Sequence, residues 1–227
     1  VYDGESRFGF EFKPGQIANL IEAGRVLQIP DPNNLLESEN LKAWFSNGRE
    51  ALQMAEKISS LLHENGEAAN LACYPYESVR LLAPILNPGK IIAIGLNYHD
   101  HAKEGKAQVP ENPLIFCKFS TSLISPEDEI RLPSISQKVD PEAELCVVIL
   151  ETGRNFSYEE ARNVIAGYTI GNDVSARDLQ FSDKQWVRGK SCDTFAPCGP
   201  FLVTEDELGD PHQLDISLCV NERAQQS

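Results

Sequence analysis

From residue 90 onward the chain is a succession of short apolar runs separated by Gly and Pro turns. That spacing restricts this part to a β-rich architecture. The predicted strands cover residues 90–95, 114–119, 144–151, 166–172, 200–203 and 214–220. A predicted helix over 158–164 interrupts them. It opens with Ser157 and has Glu160 three positions later, the pattern of a capping box.

Residues 1–86 follow a different pattern. Alternation of apolar and polar residues over 2–12, around Gly4 and Gly9, predicts a hairpin. Residues 29–34 read as a loop, and Leu41, Trp44 and Phe45 predict a short helix after it. Ala51, Met54, Ala55, Ile58, Leu61 and Leu62 then recur at helical spacing over 49–63, a stripe suited to packing rather than to binding. Pro84 and the Asn87-Pro88-Gly89 turn mark a linker. The reading is therefore a small N-terminal α+β domain, 1–86, and a β-rich α+β domain, 87–227.

A formal net charge of −14 argues against nucleic acid or an anionic membrane as the main partner, since both would repel the chain. No apolar stretch approaches the length of a membrane span. The start at Val1 has neither an initiator Met nor an apolar signal core, so a missing N-terminal segment, and any targeting peptide with it, is expected. The six cysteines (73, 117, 146, 192, 198 and 219) form no CxxC pair, and no His stands at zinc-finger spacing from them. Most sit in or beside apolar segments, as reduced structural thiols of an intracellular protein do.

The most informative local feature is Asp140-Pro141-Glu142-Ala143-Glu144, which leads into an apolar strand. Residues two apart on an extended chain share a face, so Glu142 and Glu144 present their carboxylates side by side. Two such anions repel unless a cation or a proton lies between them. A third acid, Asp173, follows the strand over 166–172. An all-carboxylate set suits a hard cation, Mg²⁺ first, with Mn²⁺ or Ca²⁺ also admissible. A solvated acidic strand edge has the same spacing, and spacing alone leaves both readings open.

Two further clusters carry chemistry-bearing residues. If 95–104 is helical after its first strand, His101 and Glu104 share a face, and a carboxylate beside an imidazole raises its basicity for proton transfer. Arg177 could grip a carboxylate with two hydrogen bonds, and Lys190 could offset charge on an enolate. Surface salt bridges account for the same residues equally well.

Taken together, these blocks resemble the fumarylacetoacetate hydrolase family. The matching text is Gly95-Leu96-Asn97-Tyr98 through His101 and Glu104, Lys118-Phe119, Glu142-Ala143-Glu144, and Asn172-Asp173-Val174-Ser175-Ala176-Arg177-Asp178. It ends with Lys190, Asp193-Thr194-Phe195 and Gly199-Pro200. The N-terminal part is similar to that of the longer, type-2 members and their bacterial relatives. The resemblance implies a mixed β-roll or sandwich with a small N-terminal domain, a homodimer, and a mobile lid between His101 and Pro113.

It also implies metal ligation by Glu142, Glu144 and Asp173, with Mg²⁺ the usual ion. His101 and Glu104 would act as a catalytic dyad, Lys190 would face the developing negative charge, and Arg177 and Gln180 would lie near the substrate. The implied chemistry is an enolate reaction of a small 2-oxo or 1,3-diketo acid. C–C bond hydrolysis is the first expectation, and oxaloacetate keto–enol tautomerisation or decarboxylation the alternative. The compartment expected is mitochondrial in a eukaryote and cytoplasmic in a bacterium. Relatives continue for several strands beyond residues 221–227 and carry a Gly-Thr-Pro-rich loop there. A fragment is therefore expected, or a naturally shortened, non-catalytic member that acts by binding.

Overall fold

We describe the fold from a computed structural model, which covers residues 1, 4–98, 110–182 and 184–226. The chain packs as two compact units. One is Val1–Ile85 with Val147–Tyr168 and Leu202–Leu208; the other is Leu86–Cys146 with Thr169–Phe201 and Gly209–Ser227. The packing thus assigns two later segments to the unit that holds residues 1–85, where the sequence reading divides the chain at a single point.

The first unit opens with a hairpin of β1 (Gly9–Lys13) and β2 (Gln16–Asn19), with Lys13 opposite Gln16. Pro14 and Gly15 are therefore the two turn residues, and Gly15 takes φ +82°, the conformation that a turn with Pro first and Gly second requires. The hairpin expected around Gly4 and Gly9 is displaced to this turn; Tyr2 and Asp3 lie outside the described residues. Helices α1 (Leu20–Val26), α2 (Leu41–Phe45), α3 (Arg49–Glu64) and α4 (Gly66–Ala72) follow, then β3 (Cys73–Pro75), which pairs with β2.

Three of these helices start on an asparagine. Asn19, Asn40 and Asn65 accept from the backbone N–H of Glu22, Ala43 and Ala68 respectively, satisfying a donor that the first turn leaves open. The predicted stripe on α3 is packing, as expected: Ala51, Ile58 and Leu62 are fully buried. Trp44 joins them, and its indole N–H donates to the Ala51 carbonyl at 3.1 Å, which gives the ring's polar edge a partner inside the core. The helix Tyr158–Asn163 carries the predicted capping box between Ser157 and Glu160.

In the second unit β4 (Ile91–Gly95) and β5 (Leu114–Lys118) pair antiparallel, Ile91 opposite Lys118 and Gly95 opposite Leu114. Along the chain follow β6 (Leu123–Ile124), β7 (Val139–Asp140), β8 (Ala143–Ile149), β9 (Ile165–Asn172), β10 (Ser175–Ala176), β11 (Ala196–Pro197), β12 (Leu218–Val220) and β13 (Arg223–Gln226). β8 and β9 are sheet neighbours, and within each of them the chain passes from one unit to the other. β7 pairs antiparallel with β10, which sets Asp140 opposite Ser175. A small core of Val174, Ala176, Leu179 and Phe195 lies beneath that pair.

Two predicted strands are corrected. Residues 200–203 form no strand; Val203 makes only an isolated bridge to Tyr168, and Pro200 has no N–H to give a ladder. Of 214–220 only Leu218–Val220 forms a paired strand. The architecture is β-rich α+β, as the sequence implied. All six cysteines are free, and among the described residues no helix is long and apolar enough to cross a membrane.

Candidate functional site

Of the acids singled out in the sequence, Glu142 and Asp173 come together, and local pairing explains how. The Asp173 N–H donates to the Glu142 carbonyl at 2.8 Å, and the Glu142 N–H donates to the Asn172 side chain at 3.0 Å. These two bonds tie the start of β8 to the end of β9, so Glu142 and Asp173 leave adjacent strands at the same level. Their side chains are only 12% and 11% exposed.

Buried anions need cations, and this cluster has them. Lys190 is 3% exposed and its ammonium donates to Glu142 Oε2 at 2.5 Å and to Asp173 Oδ2 at 2.7 Å, bridging the pair. It also lies 5.3 Å from the centroid of the Phe116 ring. Lys118, the last residue of β5 and 6% exposed, donates to Asp173 Oδ1 at 2.5 Å and to the Val174 carbonyl at 3.2 Å. Arg177 donates through Nε and Nη2 to Asp140 Oδ2, through Nη2 to Glu142 Oε1 at 2.6 Å, and through Nη1 to Gln180 Oε1 at 3.1 Å.

Glu144 stands apart electrically. Asn97 Nδ2 donates to its Oε2 at 2.9 Å, and the Tyr98 hydroxyl lies beside it and accepts from the Leu145 N–H at 3.2 Å. Among the described residues it has no ion-pair partner. Asp140, Glu142 and Asp173 are balanced by Arg177, Lys190 and Lys118, which leaves Glu144 as the unmatched acid.

The titration behaviour follows. Burial pushes the Glu144 carboxyl up to about 7; the Asn97 bond opposes this, and the charges of Glu142 and Asp173 add to it. Burial also pushes Glu142 up, but the Lys190 ammonium and the Arg177 guanidinium outweigh it and hold Glu142 below its ordinary value. Burial lowers the Lys118 ammonium, opposed by Asp173.

A divalent metal fits the chemistry of this donor set, because the three acids offer only oxygen and Glu144 has no cationic partner among the described residues. As they stand, though, no three described acid, His or Cys side chains form a ready-made metal cluster. The oxygens of Glu142 and Asp173 face ammonium groups, and Glu144 faces Asn97.

Of the other predicted residues, Lys190 joins the acids directly. Arg177 is turned toward Asp140 and Glu142, and Gln180 is buried and accepts from Arg177. His101 and Glu104 lie outside the described residues. Sequence reasoning gave no role to Lys118, Asn97, Tyr98, Asp140 or Asn172. Lys118 left a trace, since a lysine closing the apolar run 114–117 is a cation carried into a buried strand end.

The fold and the site together define a β-rich α+β protein with a buried cluster of acids and cations where two strands meet. A family model described as "Fumarylacetoacetate (FAA) hydrolase C-terminal" matches residues 90–227. The mitochondrial oxaloacetate tautomerase fahd2 of Xenopus laevis is 43% identical over 217 residues, 95% of this chain and 63% of that protein. The chain thus spans less than two thirds of that relative's length. Among solved structures, fumarylacetoacetate hydrolase from psychrophilic Exiguobacterium antarcticum is 32% identical with a TM-score of 0.75, covering 99% of this chain and 71% of that one. The 2-hydroxyhepta-2,4-diene-1,7-dioate isomerase of Mycobacterium marinum is 43% identical with a TM-score of 0.60, covering 68% and 56%. This chain belongs to the fumarylacetoacetate hydrolase family.

Proposed function

We propose that the acid–lysine cluster is the active site of an enzyme that interconverts the keto and enol forms of a small 2-oxo acid, oxaloacetate first, with a divalent cation as cofactor. The observation that carries this reading is the buried Lys190 ammonium spanning Glu142 and Asp173 beside the unmatched Glu144: a cradle of acids built around positive charge.

Glu142, Glu144 and Asp173 would hold the ion. The chemistry such an ion would supply is polarisation of the 2-oxo group and a lower enolate energy. The residues of the chain supply the rest. Lys190, whose ammonium bridges Glu142 and Asp173, would supply positive charge to the developing oxyanion. Lys118 and Arg177 hold Asp173 and Glu142 in place through ion pairs. His101, with Glu104 as its partner in the dyad the resemblance implies, would take the proton from C3 of oxaloacetate and return it to the C2 oxygen, so the substrate keeps its atoms.

Tautomerisation is placed ahead of the C–C hydrolysis first expected, because the relative that overlaps almost the whole chain is named an oxaloacetate tautomerase and a solved neighbour is named an isomerase. Hydrolysis stays as the second reading on the name of the Exiguobacterium neighbour. A homodimer and, in a eukaryote, a mitochondrial compartment belong to the same proposal. The test is enol absorbance of oxaloacetate with Mg²⁺ and with a chelator, next to acetylpyruvate and fumarylpyruvate with product analysis. Mg²⁺-dependent enol decay without cleavage products supports tautomerisation; cleavage of the acylpyruvates with no effect on oxaloacetate overturns it in favour of hydrolysis.

A further inference from the structure

The backbone that carries Glu142 and Glu144 is held largely by side chains. The Glu142 N–H goes to Asn172 Oδ1, and the Leu145 N–H goes to the Tyr98 hydroxyl. Between them, both polar groups of Ala143 are taken by a single residue. The Ala143 N–H donates to Gln226 Oε1 at 2.9 Å, and Gln226 Nε2 donates to the Ala143 carbonyl at 2.9 Å.

A primary amide presents a donor and an acceptor in one plane, so Gln226 pairs with Ala143 as a neighbouring strand would. The two residues are 83 positions apart in sequence. Gln226 is the last residue of β13 and sits opposite Leu218 in the β12–β13 hairpin, which presents its side chain. Ala143 itself is 8% exposed, so water is a poor substitute for either bond.

Ala143 lies midway between the two acids. Its N–H and C=O flank its φ and ψ angles, and those two angles set the direction of Glu142 relative to Glu144. A residue that grips both groups therefore sets how the two carboxylates aim. Among the described residues the Gln226 amide hydrogen-bonds the Ala143 backbone and neither carboxylate, so its effect on them runs through the backbone.

We propose that Gln226 is a positioning residue of the carboxylate site: its amide locks Ala143 so that Glu142 and Glu144 converge on one cation. This rests on the reading of those acids as a cation site. A purely structural bond would contribute to stability and leave cation affinity alone. A positioning bond changes affinity, and outer partners that orient ligands typically change it 10- to 100-fold.

The test is calorimetric titration of Mn²⁺ into the full chain, the Gln226→Met variant and a Glu142→Gln control, with metal-free thermal unfolding of each. Methionine keeps the bulk of the side chain and removes both hydrogen bonds. The expected result is Mn²⁺ binding by the unaltered chain, loss in Glu142→Gln, and about 10- to 100-fold weaker binding in Gln226→Met with its unfolding midpoint nearly unchanged. If Gln226→Met fails to fold, Gln226→Glu replaces it; it still accepts from the Ala143 N–H but cannot donate to the carbonyl, and weaker binding is again expected. Unaltered affinity in a folded Gln226 variant overturns the positioning role and leaves the cation site intact. No Mn²⁺ binding by the unaltered chain overturns the cation site and this inference together.

Discussion

Glu144 is the acid whose ionisation the metal-free fold resists, and replacing it with Gln exposes that cost. The substitution keeps an oxygen for the Asn97 donor and removes only the charge. With a folded value of about 7 against an ordinary 4.5, the folded state holds the proton more tightly than the unfolded state across that window. Below the unfolded value neither state is charged and nothing is lost. As pH rises through 4.5 to 7 the unfolded state ionises first, so stability falls, and above 7 the full cost is present. The linkage integrates to about 1 kcal/mol at pH 5 and about 3 kcal/mol at pH 8. Glu144→Gln should therefore stabilise the metal-free chain by roughly 3 kcal/mol at pH 8 and far less at pH 5. Urea unfolding of both proteins in chelator at the two pH values measures this. A stability difference that does not change with pH would refute the reasoning, because it would mean that Glu144 is already ionised, or already paired, at pH 5.

Lys118→Met should destabilise the chain by about 3–5 kcal/mol, since it strips the buried Asp173 Oδ1 of its cation; denaturant midpoints give the value. Gly171→Ala should cost about 1–3 kcal/mol, because a Cβ there would stand 2.3 Å from Cys146 Sγ, and adding Cys146→Ala should recover most of the loss. His101→Ala should keep Mn²⁺ binding by calorimetry and lose turnover of oxaloacetate; loss of both would assign His101 a structural role instead.

Much of the skeleton was legible because its causes are local. The α3 stripe, the Ser157–Glu160 capping box and the four strands β4, β5, β8 and β9 follow from periodicity and end chemistry within a few residues. The N-terminal hairpin was misplaced because alternation over 2–12 outweighed the Pro14-Gly15 turn, although that dipeptide states the turn outright. The acids were found because Glu142 and Glu144 share a face by geometry alone. That Lys118, Lys190 and Arg177 pair with them was not legible, because these residues reach them across 17 to 55 positions of sequence. Arg177 shows the limit most clearly. Its guanidinium grips a carboxylate with two hydrogen bonds, as the sequence allows, but that the carboxylates are Asp140 and Glu142 of its own chain is decided only by the pairing of β7 with β10.

The proposed chemistry has a centre only if Glu142, Glu144 and Asp173 gather around one doubly charged ion. Crystals grown with Mn²⁺ and measured at its absorption edge test this directly. An anomalous peak in contact with oxygens of all three side chains, with Lys190 drawn back from at least one of them, is the predicted result. A map with no peak there at saturating Mn²⁺, and Lys190 still bridging Glu142 and Asp173, would contradict it.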